Sequence, residues 1–348
     1  LLTATGIYCL YAVLYRGKTE PDSQAPATDT SAAVYTFSQF SQIAGENAIL
    51  EEYGIQYYDH SPVSDTYIIP GLNGTRTCSP AGESASCTSM TPQGLAVTED
   101  YLFISAYCQT RQHNSVLYMI DKHSHTFIKE IILPGRNHAG GLAYDPIHQN
   151  LWVSGRERGV AQANYYSLEA LENYSYEEYH TPLEYTEKYF LYGITRDSFL
   201  AYYDHALYVG FFTTDADSVI EKFAISSDGG LVETLDREWG LNMRVPVAED
   251  ISMISGKAQG IAFRDDQLLI SQSYGIFPSQ LRIFDHLSAS SLRDPHATWS
   301  FSFPCQMEQI YVDGNALYLL FESASYSYRA YVPTVIDRVI KISLDFIP

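Results

Sequence analysis

The sequence predicts an all-β protein and, within that class, a β-propeller of five blades. Two observations predict it: a short motif recurs along the chain, and each copy is followed by a polar turn and a second apolar run. Tyrosine is also abundant, with 29 in 348 residues, and aromatic side chains favour strands.

The recurring motif is a polar or small residue, then glycine, an aliphatic residue and alanine. Its copies are residues 93–97 (QGLAV), 140–144 (GGLAY) and 259–263 (QGIAF), with looser copies at 199–202 (FLAY) and 308–312 (EQIYV). They are spaced by about 47 to 61 residues, a period typical of propeller blades. A lone hairpin cannot bury its apolar face, whereas four-stranded sheets stacked around an axis can.

The last copy lacks a fourth strand at the C-terminus. A segment near residues 66–69 (TYII) is expected to supply that strand and close the ring. Five copies predict five blades, and six blades, with residues 34–70 in the extra one, is the alternative. Residues 37–53 have a helical pattern of apolar positions.

The N-terminal region divides into three parts. Residues 1–16 are expected to be a truncated transmembrane signal anchor, because fifteen residues without a charge precede Arg16 and Lys18. Residues 17–33 are rich in Pro, Ser, Thr and Asp, which predicts a flexible linker. Residues 34–90 form an extension with the helix and the ring-closing strand, and residues 91–348 form the propeller. The expected location is therefore the cell membrane, crossed once, with the propeller outside.

The formal charge of −20 argues against a nucleic-acid partner, because an acidic surface repels phosphates. Four cysteines lie in the exported part, and exported proteins commonly form disulfides. We expect Cys78 to pair with Cys87 and Cys108 with Cys305, the second pair across the junction of the first and last blades.

A functional site is expected at the end of the ring where first strands begin and second strands end, because binding residues concentrate on loops held by a rigid scaffold. The candidate ligand-binding residues at this rim are Gln93, Tyr107, His138, Arg156, Gln259, Gln272, Tyr274, Glu308, Gln309 and Glu322. They suit a surface protein, a peptide or a carbohydrate.

Some of these residues have a second interpretation. Gln93, Gln259 and Gln309 are equally consistent with structural amides that bond to neighbouring strands. His138 is equally consistent with a satisfied polar residue. Glu308, with His138 or Glu322, is a candidate acid/base pair. No catalytic, metal or cofactor motif is found, so no catalytic residue or cofactor is assigned. A divalent cation bound in the channel is kept as an alternative.

Residues 91–96 (TPQGLA) and 140–145 (GGLAYD) resemble the NHL, YncE and SMP-30-like propellers. Residues 307–314 (MEQIYVDG) and 320–323 (LFES) resemble exported propeller proteins of Gram-positive bacteria. The resemblance covers about residues 90–345 and implies architecture. SMP-30-like lactonases hold a channel metal, but the Ser-Pro-Asp-Gly turn usual in that family is absent here. YncE-like relatives are regarded as binding proteins.

The sequence therefore predicts an extracellular, membrane-tethered binding module. The alternative is a hydrolase or lactonase-like enzyme that acts on a sugar or lactone through carboxylates at the channel rim, with or without a metal.

Overall fold

The computed structural model describes residues 25–31, 63–194, 196, 198–235, 243–285 and 291–346. Across these residues, five antiparallel sheets of four strands form the blades of a propeller, which confirms the predicted fold and the predicted number of blades. The expected anchor at 1–16 and the expected helix at 37–53 lie outside the described residues. None of the helices in the described part is long and apolar enough to cross a bilayer.

Each blade runs from an inner first strand to an outer fourth strand. Blade 1 contains β4 (Met90–Val97), β5 (Tyr101–Cys108), β6 (Val116–Asp121) and β7 (Phe127–Ile132). Blade 2 contains β8 (Leu142–Asp145), β9 (Asn150–Glu157), β10 (Val160–Ser167) and β11 (Glu187–Leu191). Two short helices, α1 (Leu168–Asn173) and α2 (Tyr176–Tyr179), connect the last two strands of blade 2.

The remaining blades follow the same plan. Blade 3 contains β12 (Phe199–Tyr203), β13 (Ala206–Gly210), β14 (Ser218–Ala224) and β17 (Asp250–Ile254), with a hairpin of β15 (Glu233–Leu235) and β16 (Arg244–Pro246) inserted before its last strand. Blade 4 contains β18 (Ala258–Arg264), β19 (Gln267–Gln272), β20 (Ser279–Phe284) and β21 (Trp299–Phe303). Blade 5 contains β22 (Met307–Asp313), β23 (Ala316–Phe321), β24 (Arg338–Ser343) and the N-terminal β1 (Val63–Ile68).

Strand β1 closes the ring. It pairs antiparallel with β24, with Thr66 opposite Ile340 and Ile68 opposite Arg338. Residues 25–31, part of the expected linker, contact the body of the protein: the buried Thr28 hydroxyl donates to Glu130 at 2.8 Å, and the Asp29 amide donates to the Gly74 carbonyl at 2.8 Å. A further hairpin, β2 (Thr75–Cys78) and β3 (Ser84–Cys87), lies between β1 and blade 1.

The repeated motif has a packing role. The first strands pass so close to one another that a side chain at the glycine position would collide with the next blade. A Cβ on Gly141 would lie 2.4 Å from the Leu200 nitrogen, and one on Gly260 would lie 2.8 Å from the Gln309 Cα. Both contacts are with backbone, so the neighbouring blade would have to move away.

Serines near the ends of second strands join adjacent blades. The Ser105 hydroxyl accepts from the Gly94 amide at 2.8 Å and donates to the Ala139 carbonyl at 2.6 Å, and so joins blade 1 to the start of blade 2. The Ser271 hydroxyl donates to the Glu308 carbonyl at 2.8 Å and joins blade 4 to blade 5. Apolar clusters fill the space between the blades. In one of them, Leu269 and Phe303 of blade 4 pack together with residues of blade 5.

Blade 5 carries glutamine where the motif has glycine, and this side chain occupies the centre of the ring. The Gln309 carbonyl oxygen accepts from the amides of Leu95 (3.0 Å) and Leu142 (2.8 Å). Its amide nitrogen donates to the carbonyls of Leu142 (2.5 Å) and Leu200 (3.0 Å). One side chain, 1 % exposed, thus binds the first strands of blades 1, 2 and 3 from blade 5. The structure therefore gives Gln309 the role of a structural amide.

The structure does not pair Cys78 with Cys87 as predicted. In the β2–β3 hairpin, Cys78 faces Ser84 and Cys87 faces Thr75, so the two cysteines lie at opposite ends of the hairpin. Three residues of strand separate such positions by about 10 Å, beyond the reach of a disulfide. All four cysteines are buried free thiols.

Cys108 also has a different neighbour from the one predicted. Its sulfur accepts a hydrogen bond from the Cys87 thiol, whereas the Cys305 thiol interacts with the backbone of Thr334. The junction between blades 5 and 1 is held by polar contacts instead of a Cys108–Cys305 disulfide. Lys122 of blade 1, for example, bonds to the Asp313 carboxylate at 2.7 Å.

Replacing Gln309 tests its structural role. In Gln309→Ala, the buried backbone groups of three blades lose their partners, and each unsatisfied group costs about 1–3 kcal/mol. We expect the free energy of unfolding, measured in urea, to fall by at least about 3 kcal/mol. Gln112→Ala, at an exposed position, is the control and should be neutral. Equal stabilities of the two variants would contradict the role.

Candidate functional site

A pair of carboxyl groups lies at the rim next to the central glutamine. Glu308 is the second residue of β22, beside Gln309, and Glu322 follows directly after β23, so both lie at the end of the ring where first strands begin. Their side chains hydrogen bond to each other. The amide nitrogen of Gln93, from blade 1, donates to Glu322 at 2.9 Å. Three of the sequence-predicted residues therefore meet across the closure of the ring.

The surroundings of Glu308 and Glu322 favour a protonated carboxyl group. Burial is the main cause that raises the pKa of Glu308 well above its ordinary value, and the neighbouring Glu322 adds to it. Burial also raises the pKa of Glu322, to about 7, against the hydrogen bonds from Glu308 and Gln93 that lower it. Two carboxyl groups in contact share a proton because both cannot ionise at this distance. The pair can therefore donate or accept a proton near neutral pH.

A second set of predicted residues forms an aromatic stack at blades 1 and 2. The rings of Tyr107 and His138 lie 4.3 Å apart and nearly parallel. The Arg111 guanidinium lies 4.8 Å from the centre of the Tyr107 ring. The Tyr107 hydroxyl donates to Gln109. Tyr107 is buried while His138 is exposed, so the imidazole presents one accessible edge of this stack.

The third set borders a cleft of about 600 Å³ at the rim of blades 3 and 4. Gln272 ends β19 inside it and is held from both sides: its amide nitrogen donates to the Gly256 carbonyl and the Asp294 carboxylate, both at 2.9 Å, and its oxygen accepts from Arg282 at 3.1 Å. The Asp294 amide donates to the Ser255 hydroxyl at 2.9 Å. These polar groups are therefore fixed before any ligand arrives.

Apolar side chains stand at the edge of this cleft. Tyr274 is 51 % exposed, Ile276 is 53 % exposed and Phe277 is 69 % exposed. Tyr274 and Phe277 line the cleft directly. The ammonium of Lys257 lies 5.8 Å from the centre of the Tyr274 ring. A smaller cavity of about 340 Å³ adjoins it and shares residues 214–216.

The structure does not bring all ten predicted residues together. Gln309 fills the axis. Beside it lie Gln93, Glu308 and Glu322. The cleft of blades 3 and 4 contains Gln272 and Tyr274. Arg156 is exposed and its guanidinium donates to the Gly159 carbonyl of its own hairpin at 3.1 Å. Gln259 is half-buried at the start of β18.

Sequence reasoning missed several residues of the cleft. Arg282 and Asp294 are two of its charged residues, and Asp215, Asp217 and Lys257 also line it. The Asp294 carboxylate lies 22 positions from Gln272, its partner, and no spacing rule links them. Within the described residues, His, Cys, Asp or Glu side chains gather in threes only at Cys87, Cys108 and His113, away from the axis.

Stability against pH tests the shared proton. The pKa values of Glu308 and Glu322 are raised in the folded protein, whereas a glutamate in the unfolded chain has a pKa of about 4.3. Above that pH the folded protein therefore binds protons that the unfolded chain has released. The contribution of this pair to the stability is therefore fully present below about pH 4 and is lost as the pH rises towards and through about 7.

We expect Glu308→Gln to reduce this fall by about 1–3 kcal/mol between about pH 5 and pH 8 in urea unfolding. Glu99→Gln, at an exposed turn, is the control and should follow the parent protein. Parallel curves for all three proteins would show that the two glutamates titrate normally.

No family model and no curated protein matches the chain. Solved structures match at low similarity. A protein of unknown function from Desulfotomaculum acetoxidans is 13 % identical with a TM-score of 0.41, over 74 % of this chain and 73 % of that one. A protein described as an oxidoreductase of the glucose dehydrogenase type from Thermus thermophilus is 14 % identical with a TM-score of 0.38, over 72 % and 82 %.

Hydrazine synthase from Kuenenia stuttgartiensis is 11 % identical with a TM-score of 0.36, over 66 % of this chain, and the match spans only 55 % of the length of that protein. At these scores the similarities carry no argument about activity. The assignment as a propeller depends on the five sheets and their order around the axis.

Proposed function

We propose that the chain is an extracellular, membrane-tethered binding module whose ligand occupies the cleft between blades 3 and 4. The observation that carries the proposal is the cleft itself: a fixed network of Gln272, Arg282 and Asp294 beside the exposed ring of Tyr274. A pocket with a few oriented polar groups and exposed aromatic surface is the usual form of a binding site. The centre of the ring is filled by the side chain of Gln309.

The chemistry of the cleft suits a saccharide that is neutral or cationic. Carboxylate, amide and guanidinium groups accept from and donate to hydroxyl groups, while an exposed tyrosine or phenylalanine ring covers the apolar face of a sugar. The formal charge of −20 works against an anionic ligand. A peptide would need a longer groove, with backbone groups or side-chain pockets along it.

The test is binding of the folded protein to a panel of neutral, amino and acidic glycans, followed by calorimetry on the strongest. We expect Tyr274→Ala to weaken binding by about fivefold to tenfold, which corresponds to about 1–1.4 kcal/mol. Tyr179→Ala on α2 is the matched control, since Tyr179 is 52 % exposed and lies outside the cleft. Equal loss in both variants, or binding to a peptide library and to no glycan, would refute the proposal.

A second candidate function is hydrolysis, favoured by the shared proton of Glu308 and Glu322. Glycosidases keep their two carboxyl groups about 5–9.5 Å apart, further than a hydrogen bond allows. The pair is better suited to hydrolysis of a lactone. The ionised carboxylate would take a proton from the attacking water, and the protonated carboxyl group would donate a proton to the ring oxygen as its bond to the carbonyl carbon breaks. Turnover of a lactone panel that is abolished in Glu322→Gln would support this function, and no turnover by the parent protein would remove it.

A further inference from the structure

Three buried side chains with metal-binding atoms meet where the β2–β3 hairpin joins blade 1. Cys87 ends β3, Cys108 ends β5 and His113 lies in the loop after β5. Their sulfur and nitrogen atoms all lie within 4.8 Å of one another. The sequence does not reveal this group, because the spacings between positions 87, 108 and 113 match no zinc motif.

The distances match a tetrahedral zinc site. Zinc binds sulfur at about 2.3 Å and nitrogen or oxygen at about 2.0–2.1 Å. In a tetrahedral site, a sulfur ligand and a nitrogen or oxygen ligand therefore lie about 3.5 Å from each other. The Cys108 sulfur lies 3.5 Å from Nδ1 of His113. The Ser89 hydroxyl lies 3.5 Å from the Cys87 sulfur and 3.6 Å from the Cys108 sulfur.

The surroundings fit a structural ion. All three ligands are buried, so an ion there would be shielded from solvent. Two thiolates neutralise a divalent cation, which lowers the cost of burying the charge. Thiolate and imidazole ligands select zinc over magnesium or calcium. The Thr110 hydroxyl, 3.1 Å from the Cys108 sulfur, can donate to that thiolate from outside the ligand set.

We propose that Cys87, Cys108 and His113, with the Ser89 hydroxyl in the fourth position, bind one zinc ion that fastens the β2–β3 hairpin to blade 1. Binding releases two thiol protons to solvent and changes no oxidation state. His113 binds through Nδ1 as the neutral tautomer. The site is independent of the proposed ligand cleft, which lies at blades 3 and 4.

The competing outcome is a disulfide between Cys87 and Cys108, whose sulfurs are in contact. The positions of His113 and Ser89 favour zinc, because a disulfide would use neither the imidazole nitrogen directed at Cys108 nor the hydroxyl shared by both sulfurs.

The experiment is elemental analysis of the purified parent protein, prepared without chelators and without added reductant, so that a Cys87–Cys108 disulfide would survive the preparation. We expect about one zinc per chain. Removal by a chelator should lower the Tm, and adding zinc alone should restore it. Cys108→Ser and His113→Ala should both lose the zinc, and Ser89→Ala should weaken zinc affinity about tenfold or more.

Cys305→Ser is the matched control, because Cys305 is as buried as the ligands and lies elsewhere. It should keep the zinc. Cobalt added to the zinc-free parent should produce thiolate-to-cobalt absorption, a measurement that does not depend on whether the variants fold. A metal-free parent whose non-reduced digest joins Cys87 to Cys108 would overturn the proposal, as would equal loss of zinc in Cys305→Ser.

Discussion

The side chain of Gln309 is the contact on which the arrangement of blades depends. Five first strands converge on the axis and bring backbone amides and carbonyls there that have no partner within their own sheets. Buried groups of this kind must be hydrogen-bonded. A primary amide can supply two donors and two acceptor positions, and Gln309 uses them on Leu95, Leu142 and Leu200. The glycines at the motif positions let the first strands approach one another closely.

Gln309 fills the axis, so the two places proposed for function both lie at the rim. The candidate chemistry is at the rim, in two separate places. The acid pair of Glu308 and Glu322 joins the first and last blades beside the central amide, and the polar cleft opens between blades 3 and 4. The acid pair is buried and holds a proton, whereas the cleft is open and bordered by exposed rings. These differences favour proton chemistry at the first place and ligand binding at the second.

The sequence predicts the fold because its repeat is local. Motif, turn and second strand follow one another within a few residues, so their period is visible along the chain. Glu308 and Glu322 are also predictable, since each has a fixed position relative to a strand end. The role of Gln309 is visible only as a departure from the motif, because its partners lie as far as 214 positions away. The cysteine pairing depends on the register of the β2–β3 hairpin, which the spacing of Cys78 and Cys87 does not determine. Gln272 and Tyr274 of the cleft are among the predicted rim residues. Arg282 and Asp294 could not be predicted, because they lie outside the repeated motif.

Amide hydrogen exchange at Leu95 and Leu142 tests the central contact most directly. Both amides donate to the side chain of Gln309 and not to a strand of their own sheet. We expect them to exchange as slowly as the most protected strand amides in the parent protein, and to lose protection selectively in Gln309→Ala. Fast exchange of both amides in the parent protein, at the rate of exposed turns, would contradict the account.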